Sequence, residues 1–332
     1  MPHVLLIAPF EPAPSGLPLW VAQWAEALDR RGHRVTWLAA AEEAGFLRTL
    51  GAGHPTAAAV RPTVLWPREI FEPSARERLL FALEGFVRKE GVDALAALDV
   101  ARAGYVAAIA AGLQKRPFAA LVRHADAYGH LLRAPTEVEL VCRRADLVAA
   151  PNPALLDQLE LFHDIAGRSF CVPVRVGDDG ARDAGPDRGS YLATTGVLDG
   201  SVDVWHLIDT MRDLMPRAAA RSWCHVGAIA ADVRADVDDR LASLGLAGSF
   251  EATGLLGYRD YERTLRAAKG LVKAHGQVDT GLSVLEANRW GLPTHVPSGY
   301  PVVPELPLVA PPDPHPSREP VDYHSAIATL LE

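Results

Sequence analysis

Apolar and polar positions fall into short blocks along this chain, and the period of the pattern switches repeatedly between strand and helix. Val4–Ala8 is an apolar run closed by Pro9, which predicts a buried strand. A loop follows with Pro12, Pro14, Ser15, Gly16 and Pro18. From there apolar residues recur at Leu17, Val21, Trp24 and Leu28, the spacing of one helix face. Arg30 and Arg31 followed by Gly32 suit a helix C-terminus, where cations complement exposed carbonyls and glycine accepts a left-handed turn. His33–Leu38 then predicts a second strand. Strand, helix and strand in this order form a crossover, so the two strands are expected to be parallel.

The alternation continues. Ser74–Lys89 has helical spacing and precedes an apolar strand at Ala94–Leu98. Tyr105–Gln114 reads as a helix, Phe118–Val122 as a strand and Glu137–Ala145 as a helix. Leu147–Ala150 is a strand, Pro153–Phe162 a helix and Phe170–Val174 a strand. Asp178–Ser190 then breaks the pattern: it is rich in Gly and Asp and has almost nothing to bury. A second series begins at Tyr191–Thr195. Its helices are expected at Val204–Met215, Val233–Leu244, Tyr258–Ala268 and Leu282–Trp290. Its further strands are expected at Ser222–Val226, Phe250–Ala252, Leu271–Ala274 and Thr294–Val296, with a closing helix at Asp322–Leu331 after a Pro-rich stretch. The expectation is an α/β protein of two Rossmann-like, doubly wound domains, at 1–177 and 191–332, joined by a linker at 178–190. Ligands of such sheets bind beyond the carboxyl ends of the strands, so the two domains are expected to face each other across a cleft.

Composition narrows this picture. A chain of 332 residues with 49% hydrophobic and 22% charged residues can fill two cores. The net charge of −8, with no dense basic run, argues against a nucleic-acid partner. Cys142, Cys171 and Cys224 are widely separated and form no CxxC pair, so neither a disulfide framework nor a zinc site is expected, and a reducing cytoplasm fits. The first apolar run is too short for a secretory leader, and Tyr105–Leu113 is too short to span a bilayer.

Several segments resemble the retaining GT-B glycosyltransferases of the family-four type. The opening HVLLIAPFEPAPSG and the following VAQWAEALDRRGHRVTWLA look like that family's first strand, glycine loop, helix and second strand. RHAD at Arg123–Asp126 looks like its His-Gly-x-Asp segment, and RRADLVAAPNPALLDQL at Arg143–Leu159 like its Arg-Ala-Asp strand and helix. TGLLGYRDYERTLRAAKGLVKA at Thr253–Ala274 leads into DTGLSVLEANRWGLP at Asp279–Pro293, which resembles the segment holding the nucleotide-sugar donor.

The resemblance implies roles that the residues can support. Gly281 would open a helix whose first amides, near Thr280, Leu282 and Ser283, can receive a donor diphosphate beside Asp279, because a helix N-terminus carries unpaired N–H groups and about half a positive charge. Glu286, one turn in, would accept from the ribose hydroxyls. Gly16 would let backbone approach the ligand closely, although the family's adjacent glycine pair is reduced here to Gly16 between Ser15 and Leu17. His124, just past a predicted strand, would face the cleft as the catalytic imidazole. Ala125 stands where the family has glycine, and capping is the plainer role for Asp126. Trp20, Trp24, Phe46 and Trp66 can line an acceptor pocket, but core packing is the plainer expectation.

Three departures bear on activity. The family carries an arginine and a lysine after the first strand of its second domain; here no Lys or Arg stands between Arg188 and Arg212. Lys273, in an apolar segment before the donor loop, is the expected substitute, with Arg123, Arg175 and Arg259 behind it. The family's further acid upstream of Glu286 is matched by Val278, with Asp279 beside it. No counterpart of the family's last crossover helix follows Asp322–Leu331, so domain closure is expected to involve a protein partner or a second copy. The expected activity is glycosyl transfer from a nucleotide-diphosphate donor to a small acceptor, without metal or cofactor. The alternatives are a catalytically silent scaffold and a nucleotide-sugar epimerase on the same fold.

Overall fold

The computed structural model describes residues 1–8, 17–41, 63–123, 131–176, 189–198, 204–273 and 281–296. Among the described residues the first domain has seven strands: β1 (His3–Ile7), β2 (Arg34–Ala40), β3 (Val64–Trp66), β4 (Ala94–Leu98), β5 (Phe118–Leu121), β6 (Leu147–Ala150) and β7 (Ser169–Cys171). They form one parallel sheet in the order β3-β2-β1-β4-β5-β6-β7. Its helices are α1 (Leu17–Arg30), α2 (Arg76–Glu90), α3 (Ala103–Gln114), α4 (Pro135–Arg144) and α5 (Pro153–Glu160).

The second domain repeats the plan in smaller form. Its strands are β8 (Tyr191–Thr195), β9 (Ser222–Val226), β10 (Phe250–Ala252), β11 (Gly270–Val272) and β12 (Thr294–His295), paired in parallel as β10-β9-β8-β11-β12. Its helices are α6 (Val204–Arg217), α7 (Ala231–Ser243), α8 (Tyr258–Ala267) and α9 (Leu282–Arg289).

The apolar runs are continuous because both faces of each sheet are covered. In β1, Val4 and Leu6 pack with Trp20, Trp24 and Leu28 of α1, while Leu5 and Ile7 pack with Leu79 and Leu83 of α2 and with Ala107 of α3. Trp20 and Trp24 are therefore core residues, and they meet edge to face. In the second sheet, Leu192, Trp223 and Val272 pack with Leu207 and Met211 of α6, whereas Ala193, Leu271 and Val226 share a cluster with Leu265 of α8 and Val284 of α9. That cluster also includes the α1 side of the first sheet. Helix ends follow local chemistry. Gly91 terminates α2 in the left-handed region at φ 63, and Asn152 Oδ1 accepts from Leu155 N at 3.3 Å to start α5.

Two local differences from the sequence expectation have physical causes. β3, a three-residue edge strand between Thr63 and Pro67, is too short to carry a period. β7 ends at Cys171, and the chain beyond it is tied to α1 by side chains. Trp20 Nε1 donates to Val172 O at 2.6 Å, Gln23 Nε2 to Arg175 O at 2.6 Å, and Arg175 N to Gln23 Oε1 at 2.8 Å. Val172 N still donates to Ala150 O at 2.8 Å, and Val172 and Val174 are both buried, so their hydropathy reads as strand past Cys171. Most of the expected linker and the closing helix at Asp322–Leu331 lie outside the described residues.

Candidate functional site

Each sheet reverses its strand order once, between β1 and β4 in the first and between β8 and β11 in the second. α1 and α3 lie on opposite faces of the first sheet, and α6 and α9 on opposite faces of the second. Helices that part in this way leave a crevice beyond the carboxyl ends of the two strands.

In the second domain Val272 pairs with Thr194, so the next residue, Lys273, falls beside Thr195. Lys273 Nζ is 3.3 Å from Thr195 Oγ1 and 3.5 Å from Thr195 O, both weak contacts for an ammonium. Among the described residues no carboxylate lies within ion-pair distance of it. Burial pushes the Lys273 amine down to about 8, because the charged form loses hydration. Side chains alternate across a strand, so Lys273 and Thr195 share the face of Leu271 and Ala193, which is the face covered by α8 and α9.

Helix α9 starts on that face. Gly281 is buried in the left-handed region at φ 64, a conformation that L side chains rarely adopt, and its carbonyl accepts from both Val284 N and Leu285 N at 3.0 Å. The amides of Leu282 and Ser283 precede these bonds, in the first turn, where N–H groups have no partner within the helix itself. Glu286, one turn further, is fully buried at 0% exposure, and its Oε2 accepts from the Tyr261 hydroxyl of α8 at 2.8 Å. Burial first, and the charge of Glu286 second, hold the Tyr261 phenol well above its usual 10, so it stays a donor.

The chain leaving β8 is unusual. Gly196 sits at φ 124, and a Cβ at Gly227 would lie 1.6 Å from Gly196 O, so no side chain fits at Gly227. Beyond Gly196 the backbone runs beside the segment after β9: Leu198 N donates to Ala228 O at 3.0 Å and Ala230 N to Leu198 O at 2.8 Å. Leu198 is buried in this stretch, where the resembled family carries cations. On the other face of the sheet, fully buried His225 meets Thr194 Oγ1 through Nδ1 at 2.9 Å, and Thr194 also accepts from Trp223 Nε1 at 2.8 Å. Desolvation pushes His225 down to about 4, so it is neutral near pH 7.

The first domain's crevice is built from an ion pair. Asp99 directly follows β4, at φ 74 and buried; its Oδ2 accepts from Arg123 Nη2 at 2.8 Å and its Oδ1 from Arg102 N at 3.2 Å. The left-handed turn also lets Asp99 O accept from Gly104 N at 2.7 Å, and a Cβ at Gly104 would come within 2.6 Å of that oxygen.

Of the residues expected from sequence, the structure brings Lys273, Gly281, Leu282, Ser283 and Glu286 to one face of the second domain. Gly16, His124, Asp126, Asp279 and Thr280 lie outside the described residues. Arg259 is exposed on α8, and Arg175 is engaged through its backbone with Gln23. Sequence reasoning overlooked Tyr261, Thr195 and Asp99. An acid placed directly between an apolar strand and a helix was the available signal for Asp99; nothing in the sequence points to Tyr261.

No family model matches the chain, and no curated protein matches it in sequence. Solved structures do match over most of its length. The Anabaena protein HepE in complex with UDP and glucose superposes with a TM-score of 0.67 at 16% identity, covering 88% of this chain and 80% of that one. The lipopolysaccharide outer core galactosyltransferase WaaB in its apo form gives 0.59 at 12%, covering 89% and 80%. Methanocaldococcus jannaschii UDP-GlcNAc 2-epimerase in complex with UDP-GlcNAc and UDP gives 0.58 at 12%, covering 99% and 92%. The fold is therefore the two-domain parallel α/β architecture of GT-B-like structures.

Proposed function

We propose that this chain is a GT-B enzyme of the family-four type that holds a nucleotide-diphosphate sugar against its second domain and transfers the sugar to a small acceptor. The observation that carries the reading is the convergence of Lys273 and the Gly281-initiated start of α9, with Glu286 one turn in, on one face at a strand-order reversal. In this reading Glu286 takes the ribose hydroxyls, the first amides of α9 take the diphosphate, and the Lys273 ammonium offsets the charge that grows on the leaving phosphate. The departing phosphate oxygen takes the acceptor proton through an oxocarbenium-like transition state, so neither a protein nucleophile nor a metal is required. His124 is the proposed imidazole on the acceptor side. UDP is the reasonable first probe, since HepE was solved with it. Glu286→Ala is expected to weaken UDP binding by about 1.5–3 kcal/mol, the scale of a hydrogen bond to a charged group. Calorimetry returning an unchanged affinity would overturn the assignment.

The nearly full-length match to a UDP-GlcNAc 2-epimerase supports a second reading, epimerisation of a nucleotide sugar. Product analysis separates the two, since an epimerase converts its nucleotide sugar with no acceptor present. UDP binding without turnover of any donor would favour the scaffold reading, which the absence of Lys and Arg between Arg188 and Arg212 supports.

A further inference from the structure

We infer that Tyr261 is the residue that orients Glu286 for the nucleotide ribose, so that recognition of the ribose hydroxyls depends on a phenol on α8 as well as a carboxylate on α9. The inference rests on the proposed role of Glu286 and adds the group that makes a buried carboxylate competent for it.

A glutamate side chain has three rotatable bonds, and a carboxylate in an apolar core is costly unless hydrogen bonds hold it. Glu286 and its chain neighbours Val284, Leu285 and Ala287 are all buried. The Tyr261 hydroxyl reaches its Oε2 at 2.8 Å from the neighbouring helix. That bond holds one carboxylate oxygen and so restrains the rotation of the carboxylate plane.

Tyr261 is itself well fixed. Its ring packs edge to face on Trp290 at 6.3 Å and lies 6.0 Å from the Tyr258 ring. Trp290 is covered in turn by the Arg266 guanidinium at 5.5 Å from its centroid. A tyrosine has two side-chain torsions and a rigid ring, so two aromatic contacts are enough to aim its hydroxyl. The raised phenol keeps its proton through neutral and moderately alkaline pH, so the bond to Glu286 does not switch off in that range.

A purely structural bond between α8 and α9 would also explain the pair, and the two accounts differ in one measurable respect. If Tyr261 acts through Glu286 on the ribose, its removal weakens only ligands that carry ribose hydroxyls. The test is calorimetry of wild type, Tyr261→Phe and Glu286→Ala with UDP and with 2′,3′-dideoxyuridine diphosphate, on variants whose melting transitions show a folded protein. Tyr261→Phe is expected to weaken UDP by roughly three- to tenfold, the range of one hydrogen bond. The dideoxy ligand should bind wild type and Tyr261→Phe within about twofold of each other, since the bond that Tyr261 orients is already missing. Equal weakening of both ligands, or no weakening of UDP while Glu286→Ala does weaken it, overturns the role of Tyr261 and leaves Glu286 in place. UDP binding insensitive to Glu286→Ala removes the ribose assignment and the inference together.

Discussion

The two strand-order reversals place different charged groups at the same kind of sheet edge. In the first domain Asp99 at the end of β4 pairs with Arg123 just beyond β5, both largely buried, with side-chain exposures of 5% and 11%, and Arg102 Nε lies 3.9 Å from the same carboxylate. In the second domain the corresponding edge holds Lys273, which touches only the neutral Thr195 and meets no carboxylate among the described residues. In the first domain, then, the arginine charges are met by a carboxylate. A partly desolvated ammonium with no carboxylate near it among the described residues, on the sheet face where a helix starts, is the basis for proposing an anion there. In the proposed reading the smaller sheet is the one that takes the phosphate, while the larger one holds its shape through Asp99 and its two arginines.

That contrast breaks most easily at the ion pair. Arg123→Met removes the shorter of the two arginine contacts to the buried Asp99 carboxylate and is expected to cost up to about 3–5 kcal/mol of stability, measured by denaturant unfolding at neutral pH. Adding Asp99→Asn should recover part of the loss. Lys273→Met is expected to behave oppositely: no loss of stability near pH 7, because a desolvated charge is removed, but a fall in turnover of roughly a hundredfold or more, the scale of one transition-state charge contact. A Lys273→Met protein that turns over normally would reduce Lys273 to a structural residue.

The smallest expected effect sharpens the comparison through pH. The Lys273 amine releases its proton near 8, so UDP affinity should fall by up to about tenfold per pH unit above that point, and Lys273→Met should abolish the slope. The stability linkage has the reverse sign. Between about 8 and the ordinary 10.5 the unfolded chain binds the proton that the folded chain has released, so the Lys273 contribution to stability rises with pH across that window. Affinity and stability that moved together there would implicate another group.

Much of the fold was legible because parallel sheets covered on both sides leave unbroken apolar runs. β1, β4, β6, β8 and β9 stand where their hydropathy places them. β3 was not legible, since three residues carry no period, and neither was the early end of β7, where Gln23 and Trp20 replace ladder bonds across a long sequence separation. In the candidate site, Gly281 and Glu286 were visible through a dense local block, and Lys273 through a charge set in apolar surroundings. Tyr261 looked like one more residue on an amphipathic helix.

The sequence by itself determined the alternation of strands and helices, the two-domain plan and the chemistry available at each strand edge, because these depend on periodicity and composition within short windows. Tertiary structure alone decided the sheet orders, which charges meet, and which side chains hydrogen-bond across helices. Asp99 meets Arg123, Lys273 meets Thr195 and Tyr261 meets Glu286 only after separate crossovers have stacked their strands and helices side by side. Such meetings depend on where distant segments pack, and a local pattern holds no record of that.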